Sequence, residues 1–137
     1  MRRGDFSHQC YDGRPEDQCL IPLSKFHKEV DRIRDEIRQK QNLDVKRVIV
    51  MSDDNDPGFW KEVEAIGWVR LDHAKELTLE KYGEWIPPIV DQIAQSLAVG
   101  FVGTEDSTFS LVSMRRIQDW NNGPGELISR DPYRPKT

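Results

Sequence analysis

Three stretches of this sequence carry side chains whose type and spacing could do chemistry. Arg2 and Arg3 precede Gly4; Ser52, Asp53 and Asp54 follow an apolar run; and the polar stretch Gly103 to Thr108 ends in two hydroxyls, Ser107 and Thr108, at the start of an amphipathic segment. Arginine presents a planar fork of N–H donors that matches phosphate oxygens. A hydroxyl at a helix start has two uses. It caps the helix by accepting from the first N–H groups, and beside those N–H groups it can add a hydrogen bond to a bound anion. By type and position alone the cap is the commoner reason. Other candidates are weaker. The run Asp53-Asp54-Asn55-Asp56 suggests calcium, but an EF-hand loop would need Glu at its twelfth position, which is Ala65. Capping and polarity at a strand end are the better account. His8, His27 and His73 have no His or Cys partner at metal-ligand spacing and read as ordinary. The tripeptide Arg3-Gly4-Asp5 matches an adhesion motif, but three residues match by chance too often to carry weight.

The elements that must position these residues follow from periodicity. In residues 22–41, Leu23, Phe26, Val30, Ile33 and Ile37 form one apolar stripe on a charged helix, with Pro22 in its first turn. Val48 to Met51 is an unbroken apolar run, the mark of a strand buried on both faces in a parallel sheet. A short helix follows, with Asp56 as N-cap and Pro57 at its first position. Residues 68–72 read as a short strand. Ile86, Ile89, Ile93 and Leu97 are at helical spacing, residues 99–103 read as the last strand, and the last helix begins at Ser107. After Trp120 the chain is rich in turn formers and reads as a surface tail over 121–137. Alternating helices and strands with short connections give an α/β fold with a parallel sheet, whose ligands bind at the carboxyl ends of the strands. Both polar strand ends, at Asp53 and at Ser107, belong on that rim.

Composition narrows the partners. Across 137 residues, 20 Lys and Arg face 24 Asp and Glu, a net charge of −4, so no global positive field attracts nucleic acid. No apolar run approaches the ~18 residues that span a bilayer. The first ten residues are basic without an apolar core, so no signal peptide is expected here. Cys10 and Cys19 flank a polar loop. Their spacing suits neither a redox pair nor a zinc knuckle, which leaves either a disulfide in an oxidising compartment or two unpaired thiols.

Three segments, in order, carry a family resemblance. They are Arg2-Arg3-Gly4-Asp5-Phe6; the stretch from Asp91 to Gly103, where an Asp opens a helix running into a strand; and Ser107-Thr108-Phe109 with the basic residues that follow. Together they resemble the donor-binding, C-terminal half of the GDP-fucose protein O-fucosyltransferases, nearest to fungal and plant members. The likeness spans residues 2 to about 120 and begins inside the first motif, so the family's histidine and N-terminal domain have no counterpart in these residues.

The resemblance implies a Rossmann-like parallel sheet with flanking helices, as in the C-terminal domain of a GT-B glycosyltransferase, with residues 1–120 as the donor domain. It implies an inverting transfer of fucose to a Ser or Thr hydroxyl of a protein or glycan acceptor, with no metal and no cofactor beyond the donor GDP-fucose. In that reading Arg2 holds the diphosphate and steadies its charge as the glycosidic bond breaks. Ser107, Thr108 and Phe109 cradle the phosphates, Asp91 reads guanine, and Asp53 neighbours the nucleotide. It also implies the ER and Golgi, whereas the segment as it stands, without a signal peptide, fits the cytoplasm. The acceptor side of the family's cleft is absent here, so no turnover is expected from this chain by itself. Two other readings stay open: a non-catalytic fragment or pseudoenzyme with residual GDP binding, and an unrelated flavodoxin-like binding module.

Overall fold

The computed structural model describes residues 1–4, 6, 15 and 19–131. Helix α1 spans Leu23–Gln41 and buries Phe26, Ile33 and Ile37, as the stripe requires. Its outer face is laced by ion pairs, with Arg32 reaching Glu29 and Glu36, and Lys40 reaching Glu36. It ends where Asn42 turns left-handed (φ 52°) and returns its N–H to the Arg38 carbonyl.

Strand β1 (Ile49–Val50), helix α2 (Pro57–Ala65) and strand β2 (Val69–Arg70) form one β-α-β unit. β1 and β2 are parallel, with Ile49 opposite Val69 and Val50 opposite Arg70. Asp56 caps α2 by accepting from the N–H groups of Gly58 and Phe59, with Pro57 in the first turn. Helices α3 (Thr78–Tyr82) and α4 (Ile86–Ser96) lead to a second unit: strand β3 (Phe101–Thr104), helix α5 (Thr108–Asn121) and strand β4 (Gly125–Ile128). β3 and β4 are parallel from Phe101 opposite Gly125 to Thr104 opposite Ile128. The protein is therefore mixed α/β with parallel strands, arranged as two two-stranded sheets.

Three expectations change. The run at 99–103 is not the last strand, because residues 125–128, read as tail, form β4 beside it. The turn formers Gly123 and Pro124 mark only the entry to that strand. Arg130 is buried as well, with its guanidinium 3.9 Å from the centre of the Phe6 ring, so the packed unit runs past residue 120. The run Val48–Met51 forms only a two-residue strand, and Ile49 is 58% exposed, because β1 has a neighbouring strand on one side only. On α4 the apolar stripe does not enter the core: Ile89, Ile93 and Leu97 are exposed.

The core gathers Ile21, Phe26, Val50, Phe59, Val63, Trp68 and Ile128. It thus joins α1 and α2 with one strand from each sheet. Gly103 brings β3 close to the start of α5: a Cβ there would lie 2.8 Å from the Ser110 Cβ and 2.5 Å from the Phe101 ring. That close approach sets the helix start directly beyond the strand end.

Candidate functional site

The carboxyl ends of β1 and β3 flank the first three residues of the chain. The Met1 amino group donates to the Met51 carbonyl at 2.5 Å, and the Arg2 N–H donates to Thr104 Oγ1 at 3.1 Å. The Arg3 N–H donates to Asp53 Oδ1 at 2.8 Å. The two arginines then part. Arg3 turns inward, its Nε 2.5 Å from Asp54 Oδ2, its Nη1 donating to the Ile21 carbonyl and its fork over the Phe59 ring. It holds the turn together. Arg2 faces a pocket of about 230 Å³, with its Nη1 3.1 Å from Asp53 Oδ2.

That pocket brings together residues far apart in sequence. Arg2, Asp53, Asp91 and Phe109 line it, with His73, Pro87, Pro88 and Ser110. Four of the six expected site residues thus converge. Ser107 and Thr108 do not line it; they stand one step behind, at the start of α5. Ser107 is buried and is the N-cap, its Oγ accepting from the Ser110 N–H at 3.2 Å. The Ser110 hydroxyl in turn accepts from the Thr104 N–H at 3.3 Å, which ties the helix start to β3. Thr108 is exposed. The cap is therefore present whatever else the turn does.

Asp91 is held by a residue that sequence reading passed over. His73 places Nε2 2.8 Å from Asp91 Oδ1 and Nδ1 3.2 Å from the Thr78 hydroxyl. With Asp91 ionised, Nε2 carries the proton and donates to it. No local motif announces this pair: 18 residues separate the partners, and helix α3 intervenes. His27 is exposed and lies 3.9 Å from Asp31, while His8 lies outside the described residues.

The two pocket carboxylates differ in electrostatics. Burial pushes the Asp91 carboxyl above its ordinary range, against the pull of His73 and the nearby amino terminus. Burial would also raise Asp53, but the N–H groups of Arg3 and Gly4 and the Arg2 guanidinium outweigh it and hold that carboxyl below its usual value. Asp53 therefore stays charged and fixes Arg2 at the pocket mouth. Burial lowers the Met1 ammonium to about 6, with Asp53 and Asp91 opposing the shift.

The aspartates at 53–56 account for themselves without calcium: Asp54 accepts from Arg3 and from the Asp56 N–H, and Asp56 caps α2. Among the described residues no group of three or more His, Cys, Asp or Glu side chains is placed to hold a metal ion. Cys19 is buried and disulfide-bonded; the chain's other cysteine, Cys10, lies outside the described residues. A larger cavity of about 340 Å³ lies between β1 and β3, but its walls are mostly apolar and it contains neither pocket carboxylate. No helix among the described residues is long and apolar enough to cross a membrane. Set against family models, curated proteins and solved structures, the chain matches none of them.

Proposed function

We propose that this chain binds the guanine nucleotide of a GDP-sugar, GDP-fucose, as the donor-binding part of an inverting, metal-independent O-fucosyltransferase with a Rossmann-like fold. The observation that carries the reading is the meeting of Arg2, Asp91 and Phe109, from three ends of the sequence, on one pocket at the carboxyl ends of parallel strands. Ligands of α/β proteins bind at that rim.

The chemistry of each residue fits a part of the nucleotide. Guanine offers two adjacent donors, N1–H and the exocyclic amine, and one carboxylate accepts both. Each carboxylate oxygen has two lone-pair sites, so Asp91 Oδ1 can keep its bond to His73 and still take a guanine N–H. Adenine presents a donor beside an acceptor on the corresponding edge and cannot satisfy the same carboxylate. Arg2 supplies a charged fork for phosphate oxygens, shared with Asp53. Phe109 adds an apolar wall. At about 230 Å³ the pocket is smaller than the roughly 300–1,000 Å³ of sites that enclose a whole ligand. It takes part of the nucleotide, and the remainder lies across its open side. The disulfide at Cys19 fits an oxidising compartment, as the secretory pathway provides.

Calorimetry with GDP and ADP tests the reading. GDP is expected to bind, and ADP at least tenfold more weakly. Asp91→Ala is expected to weaken GDP by about 1–3 kcal/mol, the cost of leaving donors without their partner. Equal affinity for the two nucleotides, or no binding of GDP, would sink the proposal.

A further inference from the structure

Helix α4 is packed with its polar side inward. Gln92 donates to the Ser113 hydroxyl of α5, and Ser113 donates to Gln95 Oε1 at 2.6 Å. The Ser96 hydroxyl accepts from Arg116 at 3.4 Å, and Ser96 and Ser113 are both buried. Asp91 is turned to His73 and the pocket. The apolar side is left outside: Trp85 is 75% exposed, Leu97 72%, Ile93 53% and Ile89 49%. A surface helix ordinarily turns its apolar stripe to the core. Here hydrogen bonds hold the opposite side inward, so the fold itself fixes the stripe facing out. We propose that this face binds a second copy of the chain, α4 lying antiparallel on α4 about a two-fold axis.

The pattern of the stripe carries the choice of partner. A two-fold interface must be self-complementary. The four residues stand four apart and are symmetric about position 91. Antiparallel pairing therefore sets Ile89 against Ile93 of the other copy and Trp85 against Leu97, with the four-residue ridges of both helices interlocked. The same register pairs ends of opposite charge. Glu84, just before α4, is exposed and makes no ion pair among the described residues. Arg116 reaches Ser96 in the last turn, with its guanidinium over the Trp120 ring. Antiparallel copies bring Glu84 of one to the Arg116 end of the other, whereas parallel copies set like charges together. The exposed parts of the four residues and of Trp120, itself 63% exposed, come to roughly 600 Å² per copy, so a pair buries about 1,200 Å², the lower end of specific interfaces. A lipid surface fits less well. Helices that lie on membranes carry Lys and Arg on their polar side, and α4 has none, in a chain of net charge −4.

Sedimentation equilibrium of the full chain from micromolar to millimolar concentration tests the pairing. A reversible dimer of twice the 16.0 kDa chain mass is expected, with a midpoint in the micromolar range. A chain still monomeric at millimolar concentration, or a mass that keeps growing past two copies, overturns the proposal. Ile89→Lys and Ile93→Glu should each weaken the dimer at least tenfold. Mixed in equal amounts they should recover it to within about threefold of the parent, since the introduced lysine then faces the introduced glutamate and the other central contact is the native Ile93 on Ile89. Parallel pairing would set position 89 on position 89 and give no recovery. Unchanged association in both variants, or no recovery on mixing, therefore overturns the antiparallel dimer. Near-UV circular dichroism checks that each variant is folded. Where one is not, Trp85→Ala and Leu97→Ala replace the pair, because they only shorten exposed side chains. Each should weaken the dimer about fivefold or more, and full-strength association in both overturns the proposal. Binding of a monomer to phosphatidylcholine vesicles through Ile89 and Ile93, with no dimer formed, would give the face to lipid and overturns it as well.

Discussion

His73 Nε2 lies 2.8 Å from Asp91 Oδ1, and the Thr78 hydroxyl holds the other ring nitrogen of His73. The carboxylate assigned to guanine is therefore aimed by a histidine that is itself anchored. His73→Ala leaves Asp91 half-buried without that donor, and its carboxyl, already raised by burial, rises further. The expected result is a loss of about 1–3 kcal/mol in urea denaturation at neutral pH. GDP affinity should fall with it, and should fall more at pH 5 than at pH 7.5 as the unsupported carboxyl takes up its proton. A variant with unchanged stability and unchanged GDP affinity would show that the pair positions nothing.

Asp53 carries the opposite sign. Its carboxyl is held below its ordinary 3.8 because backbone donors and Arg2 outweigh burial. The unfolded chain then binds this proton at higher pH than the folded one. The stability it contributes is full above about pH 4 and is lost as pH falls through the lowered folded value. Asp53→Asn should cost about 2 kcal/mol at pH 7, since it replaces charge-assisted bonds with neutral ones. The difference from the parent chain should shrink below pH 3. Parallel denaturation curves for the two proteins from pH 7 down to pH 2.5 would refute this.

The amino terminus gives a second pH window. Burial lowers the Met1 ammonium from 8.0 to about 6. Between those values the unfolded chain holds a proton that the folded chain does not, so stability rises with pH from 6 to 8 and is flat on either side. Two units correspond to roughly 2–3 kcal/mol. Chemical denaturation at several pH values would measure the slope. Acetylation of the amino group should abolish it, and a slope that survives acetylation would assign the effect elsewhere.

What was legible in the sequence was what local rules fix. The α1 stripe, the Asp56-Pro57 start of α2 and the Ser107 cap each rest on neighbours within a few residues, and each formed as read. Of the residues that meet at the pocket, only Asp53 was placed by its position at a strand end; Arg2, Asp91 and Phe109 were supplied by the family resemblance, and Ser107, the other strand-end residue, stands behind the pocket. What stayed hidden depended on distant partners. β4 has only Leu127 and Ile128 as apolar residues, and it is a strand because β3 lies beside it. Ile89, Ile93 and Leu97 keep helical spacing yet face solvent, because periodicity reports an apolar face and not what covers it. His73 had no sequence signal, since its partner is brought to it by the turn between α3 and α4.

The start of α5 separates capping from ligand binding in one pair of variants. Ser107 Oγ accepts from the Ser110 N–H, so Ser107→Ala should cost about 1 kcal/mol through the lost cap, and GDP affinity should fall with it. Ser107→Asp keeps a capping oxygen, and a negative charge suits a helix N-terminus, so most of that stability should return. The family resemblance implies that the diphosphate lies at this helix start, so the added charge, one step behind the pocket, would repel it and the hydroxyl donor would be lost. GDP binding should therefore fall at least tenfold in a protein of near-parent stability. Denaturation and calorimetry on the same samples read the two effects separately. If Ser107→Asp binds GDP as the parent does, the helix start is a cap alone, and the phosphates must be held by Arg2 and other groups.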